Sequence, residues 1–235
     1  MKIHRFIINK DLVEGRLEVV DNELFNQLKN VLRLGVGSKV SLADSKGREA
    51  LAEIKGFKKG SIELQLQEAF RNDKEPAREV TLYCSVLKRE NFELVVQKAT
   101  EVGVKRIFPL VAERTVKLNL KMERLQKIIK EAAEQSGRAV VPILYEPVSF
   151  KGAVTHAKEN SLNLFFDISG VSLKKNLGAQ KNSIGVFIGP EGGWTAKELE
   201  SARESKFEIV SLGKLTLRAE TAAIVASYIA VNNGI

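Results

Sequence analysis

Residues 184–195 read IGVFIGPEGGWT, an apolar run that passes through three glycines to the start of a helix. The run at 184–188 predicts a strand covered on both faces. Thr195 and Glu198 form a capping-box pattern, which predicts that a helix begins directly afterwards. A strand that leads into a helix is the repeating unit of a parallel α/β sheet, so this stretch predicts that architecture.

The same alternation continues on both sides of this stretch. Gly103 and Gly137 are predicted to end two of the helices. The last helix is apolar almost all round, which predicts burial in the core or at a subunit interface. We therefore expect an α/β domain with a mainly parallel sheet. Its strands are predicted at residues 80–86, 106–111, 143–145, 161–166, 184–188 and 207–212, and its helices at 91–102, 121–136, 195–205 and 219–232.

The first 72 residues show a different pattern of predicted secondary structure. Short β-rich segments at 39–42, 49–57 and 61–66 are separated by turns at Gly47 and Gly60. One helix is predicted at residues 22–32. Closely spaced strands in so short a chain predict a small barrel. The polar stretch at 71–78, which contains Pro76, predicts a linker between the two parts.

Composition limits the classes of function. The 235 residues, 44% hydrophobic and 28% charged, are enough for one or two domains with a real core. A single cysteine, Cys84, excludes an intramolecular disulfide and a Cys-rich zinc site, and two histidines leave little for metal binding or His-based catalysis. We expect no signal peptide or membrane span, and a cytoplasmic location. The net charge of +8 suggests a polyanionic partner, with RNA or DNA first.

Two segments are candidates for ligand binding or catalysis, because each follows a predicted strand and begins a helix. They are residues 188–193 (IGPEGG) and 212–222 (LGKLTLRAETA). In open α/β sheets, ligands bind beyond the carboxyl ends of strands, and glycines let the backbone approach a ligand closely. The spacing matches neither a dinucleotide nor a Walker motif. The alternatives are a tight connection without a ligand and, for Arg218 and Glu220, an ordinary surface cation and a carboxylate that complements the helix N-terminus.

Other polar groups allow two interpretations. Residues 131–138 (EAAEQSGR) place Glu131, Gln135 and Arg138 on a common face, for which a solvated helix end is the simpler explanation. Lys88 and Arg114 lie near strand ends and could meet phosphates or water. Trp194 could shield a pocket, stack on a base or pack in the core. Cys84 lies in a predicted strand and is expected in the core.

Taken in order, several motifs of the chain resemble those of the RsmE family, which are SPOUT-class enzymes that methylate uridine N3 of small-subunit ribosomal RNA. Six or more such motifs in sequence order make coincidence a poor explanation. They are residues 4–6 (HRF), 31–34 (VLRL), 96–104 (VQKATEVGV), 113–115 (ERT), 131–138 (EAAEQSGR), 141–142 (VP), 188–193 (IGPEGG) and 217–222 (LRAETA).

The resemblance implies a fold and partners that residue patterns do not. It implies a PUA-like RNA-binding β-barrel at residues 1–72 and a SPOUT α/β domain at 79–235 with a deep trefoil knot and a dimerisation surface. It implies S-adenosylmethionine as the methyl donor, no metal, and a homodimer without membrane attachment. The implied substrate is 16S rRNA in the assembled small ribosomal subunit.

The resemblance also implies roles for individual residues. Arg218 would stabilise the carbonyl oxygens of the uridine anion or bind a phosphate. Glu191 or Glu220 would accept the N3 proton or, alternatively, hold a backbone N–H or Arg218. The implied cofactor-binding residues are Phe166, Asp167, Gly189, Pro190, Glu191, Gly192, Gly193, Leu212, Gly213, Leu217, Arg218, Ala219, Thr221 and Ala222. The implied RNA-binding residues are His4, Arg5, Arg16, Arg33, Lys88, Arg114 and Arg138.

The chain departs from the family pattern at two places. Asn26 and Gln27 stand where the family often has a histidine pair, and Lys214-Leu215-Thr216 replaces a segment that usually contains an arginine. Two other functions remain open at this point. One is an RNA-binding assembly factor without turnover, and the other is a related enzyme that methylates a ribose 2′-hydroxyl.

Overall fold

The computed structural model describes residues 3–116, 119–173 and 182–232. The chain forms two compact units, each with its own sheet. The first unit comprises Met1–Glu75 and Ala133–Val141, and the second comprises Pro76–Ala132 and Pro142–Ile235. The first unit therefore also takes in a short segment that the sequence prediction assigned to the second domain.

The first unit is a six-stranded sheet in the order β1-β3-β4-β5-β2, with β6 paired to β4. The β1–β3 pair is parallel, and the other pairs are antiparallel. The three strands predicted from residue 39 to residue 66 are confirmed. The strands are β1 (His4–Ile7), β2 (Gly15–Val20), β3 (Lys39–Ala43), β4 (Arg48–Lys58), β5 (Ser61–Leu66) and β6 (Phe70–Arg71).

Local signals explain the connections in this unit. Gly47 and Gly60 have φ of +104° and +76°, a region that favours glycine, so both predicted turns are confirmed. The predicted helix is divided between α1 (Asn22–Asn26) and a π-helical turn at Gln27–Val31. The carboxylate of Asp21 accepts hydrogen bonds from the first turn of α1 and fixes where the helix begins.

The core of the first unit is formed by inward-facing aliphatic side chains of the strands and of the helical segment. Leu28, Leu42 and Ile54 are fully buried there. Burial of one such side chain contributes about 1.5–3 kcal/mol to the free energy of folding. These contacts join the sheet to the helical segment that follows Asp21.

A buried carboxylate, Glu49 of β4, lies beside this core. It accepts hydrogen bonds from the Arg5 guanidinium, from Ser41 Oγ at 2.5 Å and from Asn72 Nδ2 at 2.7 Å. Burial alone would raise the pKa of Glu49, but the hydrogen bonds from Ser41, Arg5 and Asn72 outweigh it, so the pKa lies below its ordinary value of 4.5. Glu49 is therefore a fixed anion that holds β1, β3 and residue 72 together.

This arrangement predicts a pH dependence of stability. Because the folded pKa of Glu49 is depressed, its contribution is fully present above the unfolded pKa and is lost as the pH falls through the folded pKa. Glu49→Gln should lower the melting temperature at pH 7, and this deficit should shrink as the pH falls below about 4. Thermal unfolding from pH 7 to pH 3 measures both. Glu53→Gln, at a more exposed carboxylate of β4, is the control, and a pH-independent deficit for Glu49→Gln would contradict the assignment.

The second unit is a parallel sheet in the order β10-β8-β7-β12-β11-β13, with β9 paired to β8. Every described strand pair in it is parallel, which confirms the predicted sheet type. The strands are β7 (Glu79–Ser85), β8 (Arg106–Val111), β9 (Ile143–Leu144), β10 (Val148–Ser149), β11 (Leu162–Ser172), β12 (Ser183–Ile188) and β13 (Glu208–Ser211). The helices are α2 (Arg89–Val102), α3 (Met122–Ser136), α4 (Phe150–His156), α5 (Ala196–Glu204) and α6 (Ala219–Asn232). The last four residues of α3 belong to the first unit.

Helix boundaries in this unit follow the predicted signals. Gly103 and Gly137 follow the ends of α2 and α3 with φ of +106° and +82°. Thr195 and Glu198 form the predicted capping box at the start of α5. Helix α4 was not predicted, because seven residues are too few for helical periodicity to show. No described helix combines the length and the apolar character that spanning a membrane requires.

Aromatic rings fill one side of the parallel sheet. Tyr83 of β7 stacks on Phe108 and Phe187 with ring centroids 5.0 and 4.3 Å apart. Phe165 of β11 packs against Trp194 at 4.4 Å. Cys84, which follows Tyr83 on β7, is fully buried, as predicted. Burial raises the pKa of its thiol, and the negative charge of Glu191 raises it further by a smaller amount. The aromatic cluster therefore connects the middle of the sheet to the segment after β12.

Candidate active site

The carboxyl ends of three neighbouring strands define the candidate site. Because β12, β11 and β13 are adjacent and parallel, the segments that follow β12 and β13 lie at the edge of the sheet that the carboxyl-terminal part of β11 also reaches. These segments contain the predicted cofactor residues after β12 and β13, and β11 itself carries Phe166 and Asp167. The tertiary structure thus brings together three groups of residues that are far apart in sequence.

The segment after β12, residues 189–195, is a tight turn closed on itself. The N–H of Gly193 donates to the carbonyl oxygen of Pro190 at 2.8 Å, and Gly193 has φ of +70°. A Cβ on Gly189 would lie 3.0 Å from the Trp194 ring, so the ring packs directly on the backbone. Trp194 Nε1 donates to the carbonyl oxygen of Phe166 at 3.0 Å. Trp194, 8% exposed, therefore packs in the core and ties this segment to β11.

Strand β11 bulges where it reaches the candidate site. Its pairing with β13 shifts between Phe166 and Val171, so the residues between them project from the regular ladder. Within this bulge the Asp167 carboxylate accepts from the N–H and Oγ of Ser169. A Cβ on Gly170 would lie 2.5 Å from the Val210 backbone, so only glycine fits there. The bulge gives Asp167 a defined position at the edge of the site.

The turn after β8 supports the segment after β12. Arg114 Nη1 donates to the carbonyl oxygens of Gly192 at 2.8 Å and Trp194 at 3.4 Å. The buried carboxylate of Glu198 accepts from the N–H of Glu113 at 2.9 Å and also from Thr195. Both ends of residues 192–198 are therefore held by the turn that contains Glu113 and Arg114.

The segment after β13 is open to solvent. Leu215 is 81% and Leu217 36% exposed, and a Cβ on Gly213 would meet no atom within 4 Å. Arg218 is exposed, and its guanidinium makes no hydrogen bond or ion pair with any described residue. Glu220 is only 9% exposed, yet its carboxylate has no hydrogen-bond partner among the described residues. Exposed apolar side chains and a carboxylate without a described hydrogen-bond partner are groups that a bound ligand can contact.

The remaining candidate residues occupy varied positions. Glu191 is exposed, as are Gly192, Gly213 and Thr221. Pro190 is buried, and Leu212, Ala219 and Ala222 are partly buried. All of them lie on or directly beside the two segments after β12 and β13. Their predicted roles in catalysis and cofactor binding remain predictions.

The predicted RNA contacts are placed as follows. His4 and Arg5 lie partly buried on β1, whereas Arg16, Arg33 and Lys88 are exposed. Arg114 is exposed and holds the carbonyl oxygens described above.

Arg138 lies in a different environment from the other predicted RNA contacts. It is 4% exposed and forms an ion pair with Glu75 at 2.9 Å, so its guanidinium offers little surface to a phosphate. The solvated interpretation of the face formed by Glu131, Gln135 and Arg138 holds for Glu131 and Gln135, which are exposed, and is wrong for Arg138. Glu134 is buried, and its Oε1 accepts from the N–H of Ile7 at 2.8 Å. Residues 133–138 are therefore part of the first unit's structure.

Sequence reasoning missed several residues that shape the sites. Glu49, Glu134 and Glu198 are buried carboxylates with specific hydrogen bonds. Only Glu198 had a signal, its place in the capping box. The partners of Glu49 and Glu134 are distant in sequence, so no local pattern marks them.

Comparisons with known proteins now give the family. The family profile of the RNA methyltransferase domain matches residues 73–231, and that of the RNA methyltransferase PUA domain matches residues 20–67. Ribosomal RNA small subunit methyltransferase E of Rickettsia conorii is 31% identical, over 96% of this chain and 94% of the relative. The chain belongs to the ribosomal RNA small subunit methyltransferase E family.

Other members of the methyltransferase E family support this assignment. The protein of that name from Synechocystis is 35% identical over 92% of this chain and 73% of its own length. A crystal structure of the Neisseria gonorrhoeae methyltransferase E bound to S-adenosylmethionine has a TM-score of 0.88 and 30% identity, covering 96% of this chain and 95% of that one. The resemblance inferred from sequence and the mixed α/β fold with a PUA domain are confirmed, and so is the RNA methyltransferase class.

Proposed function

We propose that this chain methylates N3 of a uridine in 16S rRNA, with S-adenosylmethionine as the methyl donor. The observation that carries the proposal is the convergence of the segments after β12 and β13 with the bulge of β11 at one sheet edge. Family membership supports the same chemistry, because the Neisseria relative was crystallised with S-adenosylmethionine. The assembled small ribosomal subunit is the proposed substrate form, and the proposed location is the cytoplasm.

The residues present fit such a donor. Exposed Leu217 and partly buried Leu212 offer apolar surface for an adenine ring, and the glycines allow backbone contacts to the adenine and ribose. The carboxylate of Glu220, which has no hydrogen-bond partner among the described residues, would gain one. When bound, S-adenosylmethionine supplies an activated methyl group on a sulfonium sulfur. The proposed binding residues are those assigned above to the three segments, from Phe166 to Ala222.

Uridine N3–H is a weak acid, so the chain must favour the uridine anion. We assign the free guanidinium of Arg218 to the carbonyl oxygens that carry the anion's charge. A carboxylate, Glu191 or Glu220, accepts the N3 proton. The surrounding segments hold the reacting atoms in line, which lowers the barrier by orientation. The exposed cations Arg16, Arg33 and Lys88 position RNA through its phosphates.

Two measurements test this function. Isothermal titration with S-adenosylmethionine should give a dissociation constant in the micromolar range, and an absence of binding would favour an RNA-binding assembly factor. Nucleoside mass spectrometry of treated small subunits and naked 16S rRNA should show 3-methyluridine, with more on the assembled subunit. A methyl group on a ribose 2′-oxygen would contradict the assigned position.

Arg114→Ala tests the support of the segment after β12. Loss of the hydrogen bonds to Gly192 and Trp194 should loosen the segment and weaken S-adenosylmethionine binding by about tenfold. Calorimetric titration measures the change. Arg203→Ala, at an exposed arginine of α5, is the matched control and should bind normally. Unchanged affinity of the Arg114 variant would show that these bonds do not shape the donor site.

A homodimer through α6 is part of the proposal. Helix α6 packs on α2, β7 and β12, yet Val225 and Tyr228 on it are 36% and 57% exposed, and Leu94 on α2 is 39% exposed. Large apolar side chains on two packed helices form a surface suited to a second copy of the chain. Of the two predicted environments for this apolar helix, the core or a subunit interface, the exposure favours the interface for the part of the helix that is not covered within one chain.

Substitution on this surface should separate the subunits. Tyr228→Glu places a charge on the proposed interface and should convert a dimer to a monomer in sedimentation velocity experiments, because an unpaired charge is costly to bury. Phe70→Glu, at an exposed aromatic of β6, is the control and should leave the dimer intact. A dimer that survives Tyr228→Glu would place the interface elsewhere.

We propose a trefoil knot in the second unit because of the path that the chain takes through its sheet. After β13 at the sheet edge, the chain returns across β11 so that α6 packs against β7 and β12 near the centre. A knot requires this returning segment, residues 212–218, to pass through the connection between β11 and β12. That connection lies largely at residues 174–181, outside the described residues. Tracing it in an experimental density map tests the proposal.

A further inference from the structure

A polar pocket of about 600 Å³ lies wholly within the first unit, apart from the candidate active site. Strand β1, strands β3 and β4, the helical turn after α1 and residues 134–137 form its walls. Its volume falls within the range of small-molecule sites. The pocket exists because residues 133–141 close over the sheet of the first unit.

The interior of the pocket is electrically balanced. Glu49 holds the Arg5 guanidinium through Nε and Nη2, so the two charges neutralise each other. The third nitrogen, Arg5 Nη1, makes no hydrogen bond with a described residue and lies against Gly137, where a Cβ would come within 2.6 Å. Glycine at 137 therefore allows a close approach that leaves one rigidly held N–H donor available in the pocket.

Four further side chains of the pocket have polar groups without a hydrogen-bond partner among the described residues. The side-chain amides of Gln27 and Gln135 and the imidazole of His4 make no hydrogen bond with any described residue. Each amide presents both a donor and an acceptor. The Lys74 ammonium, on an exposed residue, likewise has no hydrogen-bond partner in the described part of the chain. Phe6, Leu32 and Leu51 add apolar surface beside these groups.

We infer that this pocket binds one unstacked nucleotide of the RNA substrate, an inference that rests on the proposed function. Apolar surface suits the face of a base, and amides that both donate and accept suit its hydrogen-bonding edge. Lys74 suits the adjoining phosphate. A site for phosphate alone would need an excess of cations inside, whereas here the Arg5 guanidinium is already neutralised by Glu49.

Binding of labelled RNA tests the inference. The probes are two fluorescein-labelled single-stranded RNAs of about ten nucleotides, one of uridines and one with abasic riboses at its central positions. By fluorescence anisotropy, the full-length protein should bind the uridine probe about tenfold more tightly than the abasic probe. Gln135→Leu should abolish this preference. Lys74→Ala should weaken binding of both probes and leave the ratio of their affinities unchanged, because a phosphate contact does not depend on the base.

Matched controls lie outside the pocket in the same unit. Gln67→Leu and Lys59→Ala replace exposed residues of the same types and should leave both affinities and the ratio unchanged. Equal binding of the two probes by the unmodified protein would overturn the inference, as would a ratio unchanged by Gln135→Leu. Circular dichroism establishes that each variant is folded, and Gln135→Glu, which should also abolish the preference, is the second variant if the leucine variant does not fold.

Titration with S-adenosylmethionine separates this inference from the proposed function. Donor affinity should be unchanged in the Gln135 and Lys74 variants, because these residues belong to the first unit. Loss of donor binding by the unmodified protein, with the probe preference intact, would count against methyl transfer and not against the pocket. Normal donor binding without a probe preference would overturn the pocket alone.

Discussion

Arg218→Ala should lower methyl transfer to the small ribosomal subunit by about 100- to 1,000-fold, the usual cost of removing one group that stabilises a developing anion. The guanidinium is exposed and makes no hydrogen bond or ion pair with a described residue, so its removal should cost the fold little. Single-turnover transfer of a labelled methyl group measures the effect. Melting temperature should stay unchanged.

The matched control for this variant is Arg203→Ala, which removes an exposed arginine from α5 and should retain full activity. Affinity for S-adenosylmethionine distinguishes two roles of Arg218. A large loss of turnover with normal donor binding supports stabilisation of the uridine anion. Retained full activity of Arg218→Ala would refute the assigned role.

Trp194→Ala should lower the free energy of unfolding by about 3–5 kcal/mol, as expected when a large buried aromatic ring is removed. The ring packs between Phe165 and the backbone of Gly189, and its Nε1 donates to the carbonyl oxygen of Phe166. Its loss leaves a cavity and breaks the connection between the segment after β12 and β11. Chemical denaturation measures the stability loss.

A second variant divides this effect into packing and hydrogen bonding. Trp194→Phe keeps most of the ring and leaves the Phe166 carbonyl oxygen without its donor, so the loss should be smaller, about 1–3 kcal/mol. Phe70→Ala, at a residue 50% exposed, is the control and should change stability little. A Trp194→Ala variant as stable as this control would show that the ring does not anchor the site.

The sequence alone indicated a role for Arg218 but left several roles open for Trp194. Arg218 stood out because a charged residue borders a highly apolar helix, and its guanidinium contacts no polar group in the part of the chain that the structure describes. Trp194 had several interpretations, because a tryptophan after a glycine segment packs, shields or stacks with equal ease. Only the observed contact with Phe166, 28 residues earlier, selects core packing.

Helix and strand positions depend mostly on local signals, and these were read correctly. The apolar face of α2, its glycine stop and the capping box of α5 are all within a few residues of the elements that they define. The misread elements were mostly short ones. Strands β1, β2, β6 and β10 were not predicted, and the longer β11 extends six residues beyond its predicted end. Helix α4 spans seven residues, and the predicted helix at 22–32 changes to π-helical pairing after Asn26, which periodicity does not distinguish.

The amino-acid sequence by itself determined the division into a β-rich and an α/β part, the parallel sheet of the second part and the segments beside the candidate site. Through its ordered motifs it also determined the family. The tertiary structure alone decided the strand order that brings these segments together, the support of residues 192–198 by Glu113 and Arg114, and the pocket that residues 133–141 close in the first unit. The physical reason is range. Propensity, caps and turns act over a few residues, whereas these contacts join side chains separated by tens of residues, and their partners are set by the packing of the whole unit.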